Sequence, residues 1–497
     1  MPELLTFVAD VFTPINLLAI VAGVFAGLLI GGLPGLTANL GVALLLPVTF
    51  GMDVAPALLM LSSLYTAAIY GGSFAAILLH TPGTSASAAT AIDGFALTQR
   101  GEFNKALRIA TFSSVVGGVA SALALLLIAP PLSRLSLAFG PSEYFMLAVF
   151  GLTVIGTLAS GNMVKGLIAG VAGLWLSTVG ADLDSGFPRY TFGVFALLSG
   201  INFVPAVIGL FSMSQALLMC EEALKSIQQE QVDARERWRF LPRLAELKRI
   251  SPTMARSSVI GVLVGILPGA GGDIGSWVSY NEAKRFSKTP DEFGKGSIIG
   301  ISASETANNA VTGSSLIPLL TLGIPGSATA AILLGALIIH GLLPGRTLFT
   351  DHADVTYTVI FGFLLANVVM GIVGMSIGRY MAKLARLPNY VLIPMIIALS
   401  VVGSYSLGNN FFDVQTMLIF GLLGYLMRKG GFPPAPMILG LILGPIAETG
   451  FRQSVVLARG NVVEYILSSP ISLVLFAATL LSIASAVWLE HRSVGKK

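Results

Sequence analysis

One break, repeated at the same place in two apolar stretches, constrains this chain more than any other feature. Residues 27–41 read GLLIGGLPGLTANLG and residues 261–275 read GVLVGILPGAGGDIG; with Pro34 set on Pro268, seven of the fifteen positions are identical. Proline removes a backbone donor and glycine accepts positive φ, so each copy is expected to be two short helices meeting at a bend. Backbone that leaves the helix at membrane depth survives only where protein or a water-filled cavity shelters it. Two such breaks, one in each half, point to a transport site.

The rest of the chain agrees with a bilayer as its solvent. Hydrophobic residues make up 54% of the sequence and charged residues 11%, and the mean hydropathy is +0.83. Runs such as 109–129 and 471–488 reach the roughly 20 apolar residues that span a membrane. The 56 glycines suit helices packed through small faces, and long Leu/Ala/Val runs without period-two alternation argue against an outer-membrane barrel. The fold class is therefore all-α and polytopic, with about 10 to 12 transmembrane segments. A pI near 9.1 does not indicate nucleic acid, because the basic residues are scattered through short loops, as in a protein fixing its membrane orientation. The single Cys220 excludes an internal disulfide and a CxxC pair, and reads as a small packing residue. The start, MPELLTFVAD, lacks the basic region of a secretory signal and is expected to belong to the mature protein.

Charge sets the expected topology. No Lys or Arg precedes Arg100, whereas Glu3, Asp10, Asp53 and Asp93 do, so the first loops are placed outside. Segments 15–33 and 36–50 read as a hairpin entered from outside, followed by a broken crossing from Ala55 through YGGSFAAILLHTPGT. Crossings are expected near 109–129, 143–158, 164–179 and 195–219. The second half repeats the plan: a helix from Ser257 to Leu267 too short to cross, a re-entrant dip at Pro268-Gly269, and a broken crossing from Ile298 past Pro325-Gly326 to His340. Crossings at 356–377, 390–405, 414–427, 436–446 and 471–488 complete it, with 436–446 short for a span. Of 29 basic residues only Arg134, Arg189, Arg346, Arg452 and Arg459 fall outside. The domains are then a first repeat over 1–220, a cytoplasmic linker over 221–256, a second repeat over 257–450, and a loop with a C-terminal helix over 451–497. Each repeat has an odd number of crossings, so the two should insert in opposite senses as inverted repeats, each with one re-entrant hairpin and one broken helix.

Small hydroxyls and amides dominate the breaks. The first half supplies Pro34, Gly35, Thr37, Asn39, Ser73, Thr81, Pro82, Gly83, Thr84 and Ser85; the second supplies Gly269, Gly271, Gly272, Pro325, Gly326 and Ser327. A helix that starts after Pro-Gly offers free N–H groups and a partial positive charge, which suits a carboxylate without arginine. Two opposed starts favour a small anion with more than one acidic group. Any one hydroxyl here is equally well explained as a packing residue. Glu305 is the sharpest single residue, because an ionisable group at membrane depth is functional by default. It either binds a proton or holds sodium with Asn308 and Asn309, or it caps a half-helix near the cytoplasmic interface; Asp273 carries the same ambiguity. His80 and His340 flank the breaks. No HExxH, Walker loop or Cys/His cluster is present, so no enzyme activity and no cofactor are expected beyond Na+ or H+ as a coupling ion.

The segments GGLPGLTANLGVALLLPVTF, YGGSFAAILLHTPGTSASAATAIDG, GILPGAGGDIGSWVSY and SETANNAVTGSSLIPLLTLGIPGSATAAILLGALIIHGLLPG resemble the signature segments of the TctA family, the large membrane subunit of tripartite tricarboxylate transporters. The resemblance runs from about residue 17 to about residue 470. It implies a multi-pass permease of the bacterial inner membrane. Its partners would be a small TctB-like membrane subunit, a TctC-like periplasmic solute-binding protein, a small carboxylate and the lipid bilayer. Import of a di- or tricarboxylate would be coupled to sodium or protons. The positions that match are Pro34, Gly35, Asn39, Pro82, Gly83, Thr84, Pro268, Gly269, Gly272, Glu305, Asn308, Asn309, Pro325 and Gly326, while His80 stands where an amide is expected. The competing readings are a carboxylate channel without ion coupling and an intramembrane acid enzyme or sensor built on Asp273 and Glu305.

Overall fold

The computed structural model describes the chain except for residues 1, 34, 136–137, 159–162, 183–184, 224–237, 268–270, 385–388 and 495–497. The expected positions Pro34, Pro268 and Gly269 lie outside the described residues. The protein is an all-α, multi-pass membrane protein. Its helices in order are α1 Pro2–Val11, α2 Pro14–Gly32, α3 Ala38–Leu45, α4 Val54–Leu79, α5 Ala88–Gln99, α6 Phe103–Leu135, α7 Pro141–Leu158, α8 Met163–Ser177, α9 Phe203–Val207, α10 Ser214–Ala223 and α11 Leu244–Ile266. There follow α12 Gly271–Phe286, α13 Ile298–Ser314, α14 Leu316–Leu322, α15 Ala328–Ile339, α16 Arg346–Thr350, α17 Ala353–Leu384, α18 Asn389–Gly408, α19 Phe411–Lys429, α20 Pro434–Leu457, α21 Val462–Ser468 and α22 Pro470–Val494. Among the described residues, eight helices are long and apolar enough to cross a membrane, and three shorter apolar helices, 38–51, 163–177 and 328–339, accompany them.

Several boundaries differ from the sequence expectation, each for a local reason. In the first broken crossing α4 runs for 26 residues through Tyr70-Gly71-Gly72, because glycine keeps its N–H and the helical ladder with it. The interruption comes after Leu79, where His80 turns left-handed at φ 55° and Pro82 follows. The helix expected to begin at Ser257 begins at Leu244, despite Pro252 in its interior. Pro252 cannot donate to the Lys248 carbonyl, and the Ser251 hydroxyl donates to it instead, at 3.4 Å. The crossing expected from Phe195 begins at Phe203, after a 3-10 turn and Gly200 at φ 80°. The short 436–446 segment is the middle of the 24-residue α20, and the last helix is preceded by α21, bent 97° from it. Cys220 is exposed, not a packing residue.

The chain forms two compact units, Met1–Pro131 with Leu218–Ile397, and Leu132–Leu217 with Ala398–Lys497. Each draws chain from both sides of the 221–256 linker. In the second unit, glycines bring backbones together: a methyl group on Gly173 would sit 2.1 Å from the Met437 carbonyl oxygen, and one on Gly440 2.3 Å from that of Gly170. A polar cluster in the same unit joins Asp182 to Arg189 and Arg452, and Arg189 to Glu448 at 2.6 Å.

The first unit contains both copies of the repeat, and their contacts match. A methyl group on Gly83 would lie 2.2 Å from the Gly31 carbonyl oxygen, and one on Gly326 2.3 Å from that of Gly265. Gly27 and Gly261 meet the carbonyl oxygens of Leu64 and Ala307 in the same way, each at 2.5 Å. The Gly83 N–H donates to the Gly72 carbonyl at 3.3 Å and the Gly326 N–H to the Ser315 carbonyl at 3.2 Å. Such approaches exclude any side chain larger than hydrogen. The pairs fix a register. In the first helices Gly27 and Gly31 correspond to Gly261 and Gly265, an offset of 234; in the following ones Leu64, Gly72 and Gly83 correspond to Ala307, Ser315 and Gly326, an offset of 243. On that register α4 matches α13 with α14, and α5 with its leading 3-10 turn matches α15.

Candidate functional site

The breaks bring together the polar residues that the apolar helices cannot otherwise shelter. Glu305 lies in α13 with no exposed surface. Its Oε1 accepts from Ser73 of α4 at 2.5 Å and from the Thr90 hydroxyl of α5; its Oε2 accepts from Ser114 of α6 at 2.7 Å. Thr90 also meets the Ser304 hydroxyl at 2.8 Å. Three helices thus surround one carboxylate with hydroxyls, and none of these partners is Lys, Arg or His. An isolated buried carboxylate is too costly to keep ionised, so this cage calls for a proton or a bound cation to neutralise it. Its oxygen-only donors fit either, since hard cations take oxygen ligands.

The amides predicted beside Glu305 face elsewhere. Asn309 donates to the Glu305 backbone carbonyl at 3.3 Å. Asn308, fully buried, has no hydrogen-bond partner at either side-chain atom. Its Oδ1 lies against Gly272, 2.5 Å from where a methyl group there would be, with Ala86 next to the same point. One residue along each chain, Ser85 donates to Asp273 at 2.7 Å. Ser85, Gly272, Asp273 and Asn308 therefore form a second cluster, where the break after α4 meets the start of α12. Gly271, the first residue of α12, has φ 61°. Thr84 is buried in this region with its hydroxyl unpartnered, and Gly72 approaches it so closely that a methyl group would fall 2.5 Å from that oxygen. Thr81 and Pro82 are exposed, and Gly83 is buried against Gly31. Buried, unpartnered polar atoms are rare in folded proteins; the Asn308 amide and the Thr84 hydroxyl are among them here.

On the other break, Ser327 caps α15, accepting from the Ala330 N–H at 3.1 Å, and its hydroxyl meets the Tyr65 hydroxyl at 3.0 Å. Pro325 and Gly326 are buried. Thr37 caps α3, accepting from Leu40 at 3.3 Å, Gly35 turns at φ 83°, and Asn39 accepts from the Thr329 hydroxyl. The two histidines sit at helix ends, His80 stacked on Phe95 and His340 3.4 Å from the Thr49 hydroxyl.

Sequence reasoning missed Thr90, Ser114, Tyr65 and Asp93. Asp93, counted there only as an early negative charge, is fully buried in α5. Its Oδ1 accepts from the N–H groups of Gly294, Gly296 and Ser297 at 2.8, 2.9 and 2.8 Å, and its Oδ2 from the Tyr280 hydroxyl at 2.9 Å. The signal was available: an acid inside AATAIDGFAL is as anomalous as Glu305 in its own segment.

The model of the Tripartite tricarboxylate transporter TctA family matches residues 17–439 of this sequence. The chain belongs to the TctA family. Membership assigns it a transporter role within a system of several subunits. Among curated relatives, this TctA protein is 37% identical over 484 residues, 97% of its own length and 95% of the relative's, to an Agrobacterium vitis protein described as "Uncharacterized 52.8 kDa protein in TAR-I ttuC' 3'region". A second Agrobacterium vitis protein, "Uncharacterized protein in TAR-II ttuC' 3'region", is 36% identical over 233 residues, 47% of this chain and 96% of the relative. No solved structure matches.

Proposed function

We propose that the chain is the permease of a tripartite importer, accepting a small di- or tricarboxylate from a periplasmic binding protein and carrying it inward with a coupling cation, Na+ or H+. A small membrane subunit completes the complex in the bacterial inner membrane. What carries the reading is the Glu305 cage: a fully buried carboxylate whose partners are hydroxyls from α4, α5 and α6. A cation entering it neutralises the site, and the free energy of that cation's gradient becomes available to the substrate. The substrate side is assigned to the cluster of Thr84, Ser85, Gly272, Asp273 and Asn308, where the Asn308 amide supplies a donor and an acceptor without a fixed positive charge. The matching contacts of the two copies support inverted repeats whose exchange of roles gives alternating access. In the intramembrane-enzyme alternative Asp273 and Glu305 would act as a pair, yet each has its own partners, Ser85 for one and the three hydroxyls for the other.

The test is uptake of labelled citrate and labelled succinate into proteoliposomes holding the chain, the small subunit and the binding protein. Accumulation should require the binding protein and an inward Na+ or H+ gradient, with the label recovered chemically unchanged. Flux that persists without the binding protein and without any gradient would make the chain a channel.

A further inference from the structure

The register between the copies shows what stands opposite the Glu305 cage. An offset of 243 takes Ser73 to Leu316, Thr90 to Leu333 and Glu305 back to Ser62. These three counterparts do not form a second polar cage. They line one cavity of about 40 Å³, with Leu320, Leu337 and Phe363 among its other walls. Its lining has no charged or amide side chain, and its two hydroxyls each give their proton to a backbone carbonyl: Ser62 to that of Leu59 at 3.2 Å and Thr356 to that of Leu348 at 2.6 Å. Nothing on this wall replaces the carboxylate of Glu305.

Resting on the ion-coupled reading above, we propose that the helix core holds exactly one coupling cation, bound by Glu305 with Ser73, Thr90 and Ser114 as its oxygen partners, and that the repeat-related position is an apolar vestige that binds none. Two inverted copies would by symmetry suggest two equivalent ion sites. Across the register, Ser to Leu, Thr to Leu and Glu to Ser leave the single hydroxyl of Ser62 where the cage has a carboxylate and two hydroxyls, and the space left behind is lined mostly by leucine. The ligand is a monovalent cation; a proton and a sodium ion are its two sources.

The experiment counts cations on the purified full chain in nanodiscs. Equilibrium dialysis with ²²Na+ at pH 8, balanced with choline chloride, should saturate at one ion per chain and fall to none in Glu305→Gln. Ser114→Ala should fold and bind about tenfold more weakly, as expected for losing one ligand-orienting group. Leu333→Thr, on the cavity side, should leave count and affinity unchanged. If no sodium binds, the proton arm applies: potentiometric titration should differ between wild type and Glu305→Gln by one proton, with a matching pH dependence of the thermal midpoint in wild type alone. Two ions or protons per chain, or one retained in Glu305→Gln, would overturn the single site while leaving ion coupling standing. No cation by either arm would overturn the coupling reading itself.

Discussion

The arm formed by α5 and the arm formed by α15 are the same piece of chain met twice, yet they carry opposite chemistry at two corresponding positions. Around α5 the contacts are polar: Thr90 reaches Glu305, and Asp93 fastens the helix to the backbone of Gly294, Gly296 and Ser297. Around α15 the corresponding positions are Leu333 and Ala336, and Leu333 lines a largely apolar cavity. Where the copies must touch backbone to backbone, at Gly83 on Gly31 and Gly326 on Gly265, they have stayed alike. The difference teaches that duplication supplies a scaffold by close packing, while the chemistry resides in the few positions at which the copies diverged.

Perturbing each side should break or sharpen that contrast. The largest effect is expected for Asp93→Ala, which strands three N–H donors, that of the buried Ser297 among them, and a tyrosine hydroxyl: on the order of 3–5 kcal/mol lost, read as a collapse of folded yield or a sharply lower thermal midpoint. Ala336→Ser, its counterpart, should move that midpoint little. Next come the matched glycines. Gly83→Ala and Gly326→Ala each place a methyl group within 2.3 Å of a carbonyl oxygen and should cost similar amounts, about 1–3 kcal/mol or more; strongly unequal midpoints would mean the register is wrong. Thr90→Val, which keeps shape but removes a donor from Glu305, should cost about 1–3 kcal/mol and weaken cation dependence. The smallest effect is expected for Ser62→Val, which adds apolar volume beside the cavity: neutral to about 1 kcal/mol stabilising by the same midpoint, with transport unchanged.

Much of this was legible in the sequence, and the remainder was hidden for definite reasons. The Pro-Gly repeat, the apolar runs and the charge bias gave the membrane class and the duplicated plan, because those signals are local. Glu305 stood out for the same reason, as a charge in an apolar context. Ser73 stood out only as a substrate residue and Thr90 and Ser114 not at all, because the three lie on other helices and each reads alone as a packing hydroxyl. The amides next to Glu305 in sequence look like its ligands, but successive helical residues point in different directions, and Asn308 turns to Gly272 instead. Helix boundaries erred where polar chain continued an apolar helix, as in Leu244–Arg256, since a polar extension carries no hydropathy signal. Pro252 stands inside that helix, and the Ser251 hydroxyl takes up the Lys248 carbonyl that it leaves free.

The most direct test of the account is gradient-driven uptake of labelled carboxylate by the reconstituted three-component system carrying Glu305→Gln, with Ser62→Val beside it. The account predicts that Glu305→Gln loses accumulation driven by the cation gradient yet still exchanges labelled for unlabelled substrate across the membrane, and that Ser62→Val accumulates like the wild type. Accumulation by Glu305→Gln at the wild-type level under the same gradient would contradict it.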